Sequence, residues 1–71
     1  MQKRYVYYLP YRPPAPGAMP VKGMADFNDF GERRYIPYIG REAWGSAIYM
    51  RKLSDEEIDD YELMEGPVYE L

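Results

Sequence analysis

The stretch WGSAIYMRKLSDEEI, Trp44 to Ile58, decides how this chain is read, because two different periodicities meet inside it. From Trp44 to Arg51 the alternation has a period of two, the signature of a strand. One face carries Trp44, Ser46, Ile48 and Met50, and the other Gly45, Ala47, Tyr49 and Arg51. The small Gly45 and Ala47 leave room for a neighbouring element or a large aromatic to lie close. Immediately after, Ser54 and Glu57 have the spacing of a capping box, in which the serine oxygen accepts from the Glu57 N–H and the glutamate reaches back to the Ser54 N–H. Leu53 and Ile58 are placed as the accompanying hydrophobic staple. Asp55, Glu56 and Glu57 fall where the helix dipole favours negative charge. A two-turn helix over about 54–61 is expected, with Ile58 and Tyr61 turned to the core. Asp59, Asp60 and Glu62 add repulsion near its C-terminal end, so nothing predicts a longer one.

Working outward, KRYVYYL (3–9) is β-branched and aromatic, too short for a stable helix, and stops at Pro10; it reads as a strand. Residues 10–23 hold five of the seven prolines, which exclude a helix and favour an extended, polyproline-like path over Arg12–Pro16. Met24–Phe30 suits a short or edge strand ending in a turn at Asn28–Gly31. Arg33–Tyr38 is interrupted by Pro37 and suits another short strand. Leu63-Met64 can begin a last short strand, with Gly66-Pro67 as punctuation, and 62–71 is otherwise a tail. The expectation is one α+β domain spanning 1–71, with a three- to four-stranded antiparallel sheet and one short helix. Its strands fall at about 3–9, 24–28 or 33–36, and 44–51. Its expected core is Val6, Tyr7, Phe27, Ile36, Trp44, Ile48, Met50, Leu53, Ile58 and Tyr61.

A chain of 71 residues buries only ~60% of its unfolded surface, so its stability is marginal. Without cysteine there is no disulfide framework, and without histidine the usual general base and commonest metal ligand are both missing. Successive helix positions point in different directions, so DEEIDD does not aim its carboxylates at one point, and no calcium-loop or phosphate-loop spacing occurs. No enzyme, cofactor or metal is expected. No apolar run approaches the ~18 residues of a membrane span, and the opening lacks a signal-peptide core, so a soluble cytoplasmic protein is expected.

The net charge of −3 hides a division. Residues 1–53 hold all nine lysines and arginines against four acids, a net +5, whereas 54–71 hold eight acids and no base. Arg33, Arg34, Tyr35, Tyr38, Arg41 and Trp44 interleave cations with aromatic rings, and Arg4, Tyr5, Tyr8, Tyr11 and Arg12 repeat the theme near the N-terminus; such groups hold phosphates and stack bases. Asp55, Glu56, Asp59 and Asp60 are the corresponding candidates for facing a basic partner. A pI near 4.8 counts against a nucleic-acid polymer.

The segments RPPAPG (12–17), RRYIPYIGREAWG (33–45) and LSDEE…DYEL (53–63) resemble small proteins encoded in phages and mobile elements of Firmicutes, a group with no assigned activity. The resemblance implies an accessory product acting on host or defence machinery and assigns no residue a role. The leading expectation is a binding protein that occupies a surface on a host or element-encoded protein. A module sequestering a small nucleotide is the alternative, a single-strand binder a further one, and a homo-oligomer is compatible with all three. Because the capping box is complete, Ser54→Ala should cost about 0.5–2 kcal/mol, read as a lowered melting temperature; an unchanged one contradicts a helix beginning here.

Overall fold

Strands and helix follow the chain as β1 (Lys3–Tyr8), β2 (Met24–Ile36), β3 (Arg41–Tyr49), α1 (Asp55–Asp60) and β4 (Met64–Glu70), in a computed structural model that describes residues 2–15 and 17–71. Pro16, the end of the expected polyproline stretch, lies outside them. The strands form one antiparallel sheet in the spatial order β2-β3-β1-β4, so the α+β reading holds. Each crossover skips a strand: the proline-rich loop carries the chain from β1 over β3 to β2, and α1 carries it from β3 over β1 to β4. Two such interleaved units make the split arrangement of ferredoxin-like sheets, with a loop in place of the first helix.

Both crossovers lie on the same face. Pairing of Tyr5 with Tyr49 and Tyr7 with Ala47 places Tyr5, Tyr7, Ala47 and Tyr49 on one side of β1 and β3. On that side the rings of Tyr7 and Tyr49 meet edge to face at 5.7 Å. The Tyr7 hydroxyl accepts a hydrogen bond from the Leu53 N–H at 3.0 Å, and the Tyr49 hydroxyl donates to the Pro20 carbonyl at 2.5 Å. Leu9, Ala18, Met19, Leu53 and Leu63 complete the buried cluster, with Ile58 and Tyr61 packed against it.

The core is therefore built on the opposite face of β3 from the one expected. Ala43, Gly45, Ala47 and Tyr49 are buried, whereas Trp44 and Ile48 are half-buried and Met50 is 55% exposed. Phe27 is 50% exposed at the sheet's edge, and Ile36 stays outside the cluster. Val6 is buried but lies on the other side of the sheet, opposite Ile48. The reason is the proline-rich loop. It must ride close to the sheet, and only the face with glycine and alanine admits it: a Cβ on Gly45 would come within 2.5 Å of Pro14 and 2.6 Å of the Asn28 carbonyl.

The edges also depart from expectation. No turn divides 24–36; both short strands belong to β2, whose register with β3 slips between Asp29 and Arg34. Pro37 ends it, as expected, in the tight turn to β3, where the Gly40 N–H returns to the Ile36 carbonyl at 3.0 Å. Gly66-Pro67 does not end β4: Tyr5 pairs with Val68 and Tyr7 with Glu65, so both residues sit in a bulge that tolerates the missing proline N–H.

The helix has the predicted capping box in full. It closes with Leu63 N–H bonded to the Ile58 carbonyl and Glu62 N–H to that of Asp59, a Schellman pattern in which Glu62 takes the left-handed position at φ 54°. Among the described residues no helix is long and apolar enough to cross a membrane. Because Gly45 lies under Pro14, Gly45→Ala should destabilise by about 1–3 kcal/mol, measurable by urea unfolding; a neutral result would place the loop elsewhere.

Candidate functional site

The sheet sorts the candidate residues into two groups on its two sides. On the covered side, α1 and the turn that closes it present six acids over Asp55–Glu62, and two of them are neutralised internally. Arg51 leaves the end of β3 and holds Glu57 with two parallel hydrogen bonds of 2.8 Å each, while its Nε donates to the Lys22 carbonyl at 2.9 Å. This one guanidinium ties helix, strand and proline-rich loop together. Glu62 pairs with Arg12. Asp55, Glu56, Asp59 and Asp60 remain exposed and, among the described residues, outside any ion pair. Asp59 and Asp60 lie at the end of a helix whose last turn carries no base, where the dipole disfavours them.

Beside these acids runs a cleft of about 570 Å³. Ile58, Leu63 and Met64 form its apolar lining, and Asp55, Asp59, Glu62 and Glu65 its acidic one. Tyr11 and Arg41 close the other wall: the Arg41 guanidinium lies 4.6 Å from the Tyr11 ring centre and donates to the Tyr11 hydroxyl at 3.0 Å. Tyr11, Arg41, Asp55 and Asp59 are thus brought together, with the arginine facing carboxylates.

The rest of the Arg/Tyr series goes elsewhere. Arg33 reaches the open side, 5.9 Å from the Trp44 ring centre and 3.7 Å from a Glu42 oxygen. Arg34, across from Ala43, lies over Phe30 at 5.5 Å with Glu32 nearby. Tyr35 and Tyr38 are exposed. Among the described residues Arg33, Arg34 and Arg41 each lie against a different ring. One contributor escaped the sequence reading. Arg51 escaped because its partner is fixed only by the fold. Tyr8, which the N-terminal cation–aromatic repeat includes, lies on the face opposite Tyr7, where its alternation placed it. Its ring covers Gly66, where an added Cβ would lie 2.6 Å from the ring, and its pKa is raised by burial and by the neighbouring Tyr38.

Two further shifts follow the architecture. Burial pushes the Tyr49 hydroxyl up to about 12. The Arg51 hydrogen bonds, then the Ser54 N–H, pull Glu57 down from 4.5 to about 2.

The match to known families covers residues 2–68 and is described as Defence against restriction A C-terminal. The chain belongs to that family. The description ties it to counter-defence, in keeping with the phage and mobile-element setting that the sequence resemblance implied. No curated protein and no solved structure matches the chain.

The Glu57 shift carries a sign. A carboxyl whose folded pKa lies below its unfolded value stabilises the fold above the ordinary 4.5 and loses that contribution as the pH falls toward 2. Melting temperature followed from neutral pH down to about 2 should therefore fall more steeply for wild type than for Glu57→Gln. Parallel curves would remove the Arg51 pair as the cause.

Proposed function

We propose that this domain works in defence against restriction as a non-catalytic binding module, occupying a basic surface on a host or element-encoded protein in the host cytoplasm. The observation that carries the reading is the set of four uncompensated acids on α1, two of them at the helix end where they oppose its dipole. Charges that cost stability and are outside any ion pair among the described residues suit a role in contact with another molecule. The missing histidine and cysteine support a role without catalysis. The family supplies the setting.

The nucleotide-sequestering reading draws less support. Arg41, its best phosphate donor, shares its cleft with Asp55, Asp59, Glu62 and Glu65, which would repel a phosphate. Arg33 and Arg34 each lie beside a different ring and a different acid.

Stability and function should separate in one variant. Asp60→Lys removes a charge that opposes the helix dipole, so it should raise stability by about 0.3–1 kcal/mol. Protection of unmodified incoming DNA in a restricting host should nevertheless fall, and further when Asp55, Glu56 and Asp59 are reversed as well. Full protection by the fourfold variant would overturn the assignment of these acids.

A further inference from the structure

The open side of the sheet is the part of the molecule that the α1 reading leaves unused. Among the described residues both crossovers pack on the other side, against Tyr7, Ala47 and Tyr49, so the central strands display their remaining side chains here. Pairing of Tyr8 with Ser46 sets Tyr8 of β1 diagonally beside Trp44 of β3, at the ~7–8 Å separation across which large aromatic side chains meet. Tyr8 lies over Gly66, which fixes it as a flat plate, and Tyr38 of the β2–β3 turn stands close enough to perturb its hydroxyl. Arg33 reaches over Trp44 at one end of the face. Arg4 stands at the other, on the same side of β1 as Tyr8, and among the described residues its guanidinium donates to the neutral Gln2 side chain and the Lys3 carbonyl.

We propose that this face is a platform for single-stranded nucleic acid, with bases stacked on Tyr8 and Trp44 and the backbone phosphates met by Arg33 and Arg4. Adjacent aromatics on the central strands of an uncovered four-stranded sheet are how one class of single-strand readers stacks two or three bases. Flanking cations supply the phosphate contacts that such stacking needs. Two aromatic rings between two guanidiniums, Arg33 over Trp44 at one end and Arg4 at the other, match a short run of bases and its phosphates. The four uncompensated acids belong to α1 on the covered side, at least one packed layer away. A layer of ~10 Å exceeds the Debye length of ~8 Å at physiological ionic strength, so those acids bear little on the face. Its own acids are Glu42, 3.7 Å from Arg33 in a half-exposed pair that a phosphate can replace, and Asp26 opposite Ile48 on the edge strand. A duplex hides its bases and fits this arrangement poorly.

Trp44 is the only tryptophan in the chain, so its emission reports directly on the platform. Titration with a short oligothymidylate should quench it saturably, with a duplex of the same length doing so far more weakly; an oligouridylate arm shows whether the sugar matters. Tyr8→Ala should weaken oligothymidylate binding about 5- to 150-fold, the range of one lost stacking contact. Arg33→Ala, at a half-exposed side chain, should weaken it too and reduce the dependence of log affinity on log salt by about 0.7, without a change in melting temperature. Three results overturn the proposal: no quenching by either single strand, equal affinity for duplex, or unchanged binding in Arg33→Ala. Trp44 emission that shifts with protein concentration alone would instead assign the face to a second copy of the chain.

Discussion

The fold depends on two tyrosines that are apolar at one end and polar at the other. Tyr7 and Tyr49 meet edge to face on neighbouring central strands, and each uses its hydroxyl to hold a covering segment. Tyr7 receives the Leu53 N–H at the entrance to α1, and Tyr49 reaches the Pro20 carbonyl in the proline-rich loop. A sheet this small has little area to bury, and its first crossover contains no helix to satisfy its own backbone. Anchoring both crossovers by ring packing and a hydrogen bond at once resolves that difficulty. It also commits both to the same face and leaves the other bare.

This commitment explains which parts of the structure were legible in the sequence. The helix was legible because its determinants are local: Ser54, Glu57, Leu53 and Ile58 lie within six residues and act on one another. The strand at 44–51 was legible from its alternation, and the end of β2 from Pro37. The choice of face was not. Trp44, Ile48 and Met50 are bulkier than Gly45 and Ala47, and a propensity argument sends the bulkier set inward. Packing reversed the choice, because the close approach of Pro14 and the Asn28 carbonyl demands a surface without side chains. The small residues marked the buried face by leaving room on it.

The candidate site divides in the same way. Asp55, Glu56, Asp59 and Asp60 could be named from the sequence because helix polarity alone makes them conspicuous. The arginine and tyrosine series could not be partitioned, since neighbours in sequence part company in space. The register slip in β2 sends Arg33 to Trp44 and Arg34 to Phe30, and the turn after Pro37 returns Arg41 to Tyr11. An apparent single cluster is three separate cation–aromatic contacts. The result is a domain with an acidic helix on one side and an aromatic sheet on the other, two surfaces of unlike chemistry in a family tied to defence against restriction.

The assignment of the two faces is the claim on which the rest stands, and the Trp44 indole tests it most directly. In a solution nuclear Overhauser spectrum the indole protons should show cross-peaks to Tyr8 and Arg33 and none to Leu53, Ile58 or Leu63. Cross-peaks from the indole to the helix side chains would turn β3 over, place Trp44 in the core, and contradict the account.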